Sequence, residues 1–191
     1  MNTGRLEAFS DGVVAIIITI MVLDMKVPAG ADLKALESAA PVFAGYALSY
    51  VNVGIFWINH HHMLHAAEHV DGRSLWSNLF LLFWLSMVPF AIRWVDESHF
   101  AATPTAGYGV TLALAAIGYN LLQRALIACN GAESRLAMAI GSDIKGRASL
   151  AGYVAAVPLA FVSPWISIAI YILVAGTWFI PDRRIEMRVK A

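Results

Sequence analysis

The chain has 191 residues, of which 59% are hydrophobic and 14% charged, and its 13 basic and 13 acidic side chains cancel to a formal charge of zero. A water-soluble domain of this size would have too few polar side chains to cover its surface, so composition excludes that class and points to an integral membrane protein. Mean hydropathy of +0.67 agrees, and the single Cys129 excludes an internal disulfide.

Apolar runs long enough to cross a bilayer must be helical, because lipid offers backbone groups no other partners. Six such runs follow in chain order, at residues 12–27, 41–64, 74–95, 105–128, 148–162 and 164–180. The first is preceded by Arg5, Phe9, Ser10 and Asp11. At 3.6 residues per turn it places Gly12, Ile16, Thr19, Ile20 and Leu23 along one aliphatic stripe. Its carboxylates, Asp11 and Asp24, stand at the two ends, and Ser10 or Asp11 reads as an N-cap. A cleaved signal peptide over residues 1–31 is the rival reading, with Ala29-Gly30-Ala31 as the cut. Asp11 against the apolar run, and Asp24 with Lys26 before the cut, weigh against it.

The second run contains Asn52 and Trp57 and ends in a histidine-rich stretch from His60 to His69. His61, His65 and His69 recur at i, i+4 and i+8 with Glu68 nearby, which suits a Zn2+ site; the other reading is the polar end of a helix. The third run carries Asn78, and the fourth carries Asn120 and Gln123. Like Asn52 and Asn59, these suit hydrogen bonds between helices. The stretch Thr105-Ala-Gly-Tyr-Gly109 is similar to a carbonyl selectivity filter, but no re-entrant helix precedes it, and it reads as a chance match. The fifth and sixth runs meet through Ser163 and Pro164, which predicts a tight helical hairpin.

Six crossings put both termini on one side. Arg5, Arg73, Arg124, Arg135, Lys145, Arg147, Arg183, Arg184, Arg188 and Lys190 share that side, against Lys26, Lys34 and Arg93 on the other. The positive-inside rule places both termini in the cytoplasm of a cell inner (plasma) membrane. The basic C-terminal segment reads as a topology determinant touching lipid headgroups, not as a nucleic-acid patch.

The stretch from Arg5 to Asp11 resembles the R-x-x-x-F-S-D signature of the lysosomal potassium channel family, transmembrane protein 175. Phe56-Trp57 with His60-His61 is similar to that family's second helix, and Trp76 through Phe83 with Pro89-Phe90 to its third. The resemblance runs from Arg5 to Phe90. It implies an all-α fold of six transmembrane helices per subunit, assembled as a homotetramer whose central pore is lined by the first helix. It also implies a hydrophobic constriction at Ile16, Ile20 and Leu23, with Thr19 as a polar neighbour. Arg5, Phe9, Ser10, Asp11, Trp57, His60, His61 and Asn78 would then form the motif and the inter-helix polar network that holds the pore helix.

The function so implied is passage of K+, and of other monovalent cations less well, with modest selectivity and no cofactor. The alternatives are a proton-coupled carrier that titrates Asp11 with His60 or His61, and a divalent-metal transporter built on His61, His65 and His69. No nucleophile, base and orienting group can be assembled, so an enzyme is not expected.

Overall fold

The computed structural model describes residues 3–179 apart from 24, 26, 29 and 142. Asp24, Lys26, Ala29, Ile180 and the basic segment from Arg183 to Lys190, all used above, lie outside the described residues.

Eight helices make up the described chain: α1 (Gly4–Leu23), α2 (Leu33–Ala66), α3 (Gly72–Ser86), α4 (Val88–Glu97), α5 (Ala102–Asn130), α6 (Arg135–Ile140), α7 (Ile144–Leu159) and α8 (Pro164–Trp178). Local chemistry sets several of their starts. The Asp32 carboxylate accepts the Ala35 amide at the head of α2, and Ser134 Oγ accepts the Ala137 amide at the head of α6. Asp71 accepts both the amide and the hydroxyl of Ser74 at the head of α3, at 2.8 and 2.7 Å, and these bonds hold its carboxyl below the usual carboxylate range. Gly131, at φ 96°, ends α5 in a conformation that other residues rarely adopt.

Four segments are long and apolar enough to cross a membrane: Gly4–Leu23, Ala39–Ala66, Gly72–Glu97 and Ala102–Asn130. The chain is therefore an all-helical, multi-pass membrane protein. The third segment is interrupted at Met87, where α3 passes into α4, two residues before Pro89. Proline at the start of a helix lacks the N–H that the first turn leaves unpaired, so it is tolerated there. The 16 residues of α7 and 15 of α8 reach only about 24 and 22 Å, short of the roughly 30 Å hydrocarbon thickness. The expected fifth run, 148–162, corresponds to α7, which starts and ends earlier, and the sixth, 164–180, to α8; the two are joined through 160–163 and pinned together where Ser167 donates to the Ala156 carbonyl. A further short helix, α6, occupies the connection that the sequence left without an element.

α5 is the central element, packed by α3, α4, α7 and α8. At Gly118 the contact with α3 is so close that a Cβ would lie 2.8 Å from the Leu81 Cα. Three tyrosines close the other side. Tyr108 Oη pairs with Ser49 Oγ at 3.0 Å, Tyr153 Oη donates to Asn52 Oδ1 at 3.1 Å, and Tyr171 Oη donates to the Thr105 carbonyl at 3.0 Å. Burying phenol bodies while satisfying each hydroxyl fixes the relative positions of α2, α5, α7 and α8.

Candidate permeation site

α1 has two unlike faces. Leu6, Ser10, Val14, Ile17 and Met21, spaced three or four residues apart, are buried against the rest of the chain. This stripe packs on α2 and α3. Arg5, Phe9, Gly12, Ile16, Thr19, Ile20 and Leu23 form the opposite stripe, and this chain covers none of them. Ile16 is 58% exposed, Ile20 43% and Leu23 80%. The Thr19 hydroxyl lies 3.0 Å from both the Ala15 and Ile16 carbonyls of its own helix. Its proton is thus engaged locally, and its oxygen lone pairs remain free on the uncovered face.

The buried face is anchored by polar contacts near the N-terminal half of α1. Asn78, on α3 and fully buried, accepts a hydrogen bond from His60 Nε2 on its Oδ1 at 2.8 Å. Its Nδ2 donates to Ser10 Oγ at 3.0 Å, and Ser10 Oγ donates in turn to the Leu6 carbonyl at 2.8 Å. One side chain from each of α1, α2 and α3 thereby joins a single chain of bonds. Beside it, Trp57 Nε1 donates to Asp11 Oδ1 at 2.8 Å, and His61 Nδ1 lies 2.9 Å from Glu7 Oε1. The rings of Trp57, His61 and His65 stack along α2, with centroids 6.0 and 6.2 Å apart. In an apolar medium an unpaired amide or hydroxyl is costly, so such a satisfied set fixes the rotation of α1 about its own axis.

Several expectations change. Neither Ser10 nor Asp11 is an N-cap: α1 starts at Gly4, so both lie inside the helix and bond across to α2 and α3 or back to the helix itself. Arg5 and Phe9 share the uncovered stripe and make no bond to the polar set. Glu7 does enter it, a residue the sequence did not single out. Its only advance signal was the four-residue spacing Glu7–Asp11, which places both carboxylates on the side of α1 facing α2.

His69 does not extend the His61–His65 stripe. α2 ends at Ala66, and beyond it Asn130 Oδ1 accepts the amides of Glu68 and His69 at 2.9 Å, turning the chain away. Among the described residues no group of three His, Cys, Asp or Glu side chains is placed to hold a metal ion. Thr105 to Gly109 form part of the helix α5, with Tyr108 buried, so this stretch offers no row of free carbonyls. Of the amides expected to bond between helices, Asn52 and Asn78 do so. Asn59 and Asn120 donate into their own helices.

A chain of packed helices, four segments of which are long and apolar enough to cross a membrane, belongs to the class of polytopic helical membrane proteins. A family model described as endosomal/lysosomal potassium channel TMEM175 matches residues 5–89. "Potassium channel HX13_20290" of Chryseobacterium sp. is 49% identical over 190 residues, covering 100% of this chain and 99% of its own. "Endosomal/lysosomal proton channel TMEM175" of Homo sapiens is 35% identical over 117 residues, covering 54% of this chain and 23% of its own. The crystal structure of a lysosomal potassium-selective channel TMEM175 homolog from Chamaesiphon minutus superposes with a TM-score of 0.81 at 28% identity, covering 93% of this chain and 96% of that one. The chain belongs to the TMEM175 family, a family of ion channels and not of enzymes.

Proposed function

We propose that the chain is a K+-permeable channel subunit, assembled as a homotetramer around a central pore lined by α1. The observation that carries this reading is the bare stripe on α1. The side of the helix that the chain leaves uncovered holds Ile16, Thr19, Ile20 and Leu23, while the polar set anchors the other side. Kinship with proteins named as potassium channels supplies the ion.

Rings of Ile16, Ile20 and Leu23 contributed by each copy form a constriction that excludes bulk water. A cation passes only by shedding part of its hydration shell, and the larger K+ does so more easily than Na+. Selectivity by dehydration is modest, because no fixed cage of oxygens measures the ion. Thr19, with its lone pairs outward, offers a polar waypoint among these aliphatic side chains. The short helices α7 and α8 pack as a hairpin behind α5 and complete six membrane-inserted segments, with both termini in the cytoplasm. Ser10, Asp11, Trp57, His60, His61 and Asn78 set the rotation of α1 and so the aim of its aliphatic side chains. Bulky apolar side chains outside the stripe, such as Trp76, Phe83 and Leu173, face lipid.

Reversal potentials of single channels in planar bilayers with K+ on one side and Na+ on the other test the reading. Unitary currents reversing on the K+ side of zero are expected. Saturating flux without unitary conductance defeats it.

A further inference from the structure

At the end of the bundle away from the polar set, the C-terminal turn of α1, the first half of α2 and α4 enclose a cleft of about 920 Å³. Its size is that of a site for a small organic molecule. The walls are apolar, with Met21, Leu36, Phe43, Tyr46 and Ile92 among them, yet Asp96 also lines it. Asp96 Oδ1 is buried and accepts no hydrogen bond. α2 closes over this carboxylate at Gly45, where a Cβ would stand 2.8 Å from Oδ1. The other charges on the lining, Arg93 and Glu97, pair with each other at 3.0 Å. Among the described residues that line this greasy cavity, Asp96 is thus the one acidic side chain with no partner.

We propose that this cleft binds a hydrophobic ammonium, a primary or secondary amine cation carrying an apolar body, with Asp96 taking the N–H and the walls taking the body. The occupant follows from charge. A fatty acid or anionic headgroup would meet a like charge, and a neutral acyl chain would leave the carboxylate oxygen without a donor. Val22, beside Leu23 of the bare stripe, also lines the cleft, so an occupied site bears on the end of α1 that the permeation reading places in the pore. Binding itself does not depend on that reading and is measured without flux.

The test is saturation binding of radiolabelled decylammonium to the full chain in nanodiscs, over empty nanodiscs, with decanol and decanoate as competitors. One saturable site per chain is expected, with neither competitor displacing the amine. Asp96→Asn should weaken binding at least tenfold while elution and helical content stay unchanged, since the amide is isosteric and removes an uncompensated charge. Ala39→Trp narrows the apolar wall and leaves Asp96 in place, and should weaken binding as well. Equal displacement by decanol would show a site for neutral chains, and binding by Asp96→Asn at wild-type strength would show that the carboxylate is not its anchor. Absence of a saturable component would mean that lipid or a second copy of the chain fills the cleft. Each of these three overturns the proposal.

Discussion

α1 and α5 are both apolar helices of membrane-crossing length, yet the chain treats them in opposite ways. α5 is packed by α3, α4, α7 and α8 and buries most of its circumference from Pro104 to Leu126, leaving one narrow stripe through Val110, Leu121 and Arg124 exposed. α1 buries one stripe, and that stripe contains the polar Ser10 at 0% exposure while Ile16 and Leu23 on the other side stay bare. In water such an arrangement would be inverted. In lipid, an aliphatic surface is not forced inward and a polar group is, so the buried side of a helix is where its hydrogen bonds are. α5 is therefore the scaffold that the chain completes for itself, and α1 the element that the proposed tetramer would complete.

The sharpest way to break that contrast is at the scaffold. Gly118→Leu drives a side chain into the α3 backbone at Leu81, and overpacking of a close contact costs about 1–3 kcal/mol or more. We expect the variant to lose its monodisperse elution altogether. Normal elution would show that α3 and α5 can separate. Next in size is Asn78→Leu, which removes the shared partner of His60 and Ser10 and leaves both buried without it. Each such orphan costs about 1–3 kcal/mol, and thermal unfolding should fall accordingly. Because α1 is then free to rotate, K+ over Na+ preference should decline in the same variant.

How much of this was legible follows from which forces act locally. The aliphatic stripe of α1 could be read from helical periodicity, because a period needs no partner. The start of α1 could not be read from hydropathy, since Arg5, Glu7, Ser10 and Asp11 dilute the apolar average. The spacing Leu6, Ser10, Val14, Ile17, Met21 nonetheless carries the helix back to its true beginning. Pairings such as His61 with Glu7 and Trp57 with Asp11 span 54 and 46 residues, and no local pattern announces them. The tyrosine contacts between helices were also missed, although three phenols inside apolar runs were a signal that partners must exist. His69 misled for the reverse reason: its spacing was helical, but the helix ended first, under the hold of Asn130.

A third prediction acts on the bare face alone. Ile16→Asn places an amide where the constriction is proposed, in a position that the chain's own packing does not use. Thermal stability should stay within about 0.5 kcal/mol of wild type, as for surface substitutions generally. The K+ to Na+ permeability ratio, read from reversal potentials, should fall several-fold toward unity. A stable variant with unchanged selectivity would take Ile16 out of the filter and return the stripe to ordinary helix packing.

The smallest expected effect lies outside the membrane segments, at the head of α7. Asp143 sits at φ 40°, in the left-handed region, and accepts the Gly146 amide at 3.2 Å. Burial pushes its carboxyl above the ordinary 3.8, outweighing the hydrogen bonds and the nearby Arg147 that favour the charged form. The stability linked to this group is accordingly full below the unfolded value and is lost as pH rises through the folded one. Asparagine tolerates the left-handed conformation, caps a helix equally well and carries no charge. Asp143→Asn should therefore raise the melting temperature slightly at pH 7 and leave it unchanged at pH 3. A gain of the same size at both would show that the backbone conformation, and not the buried charge, limits this turn.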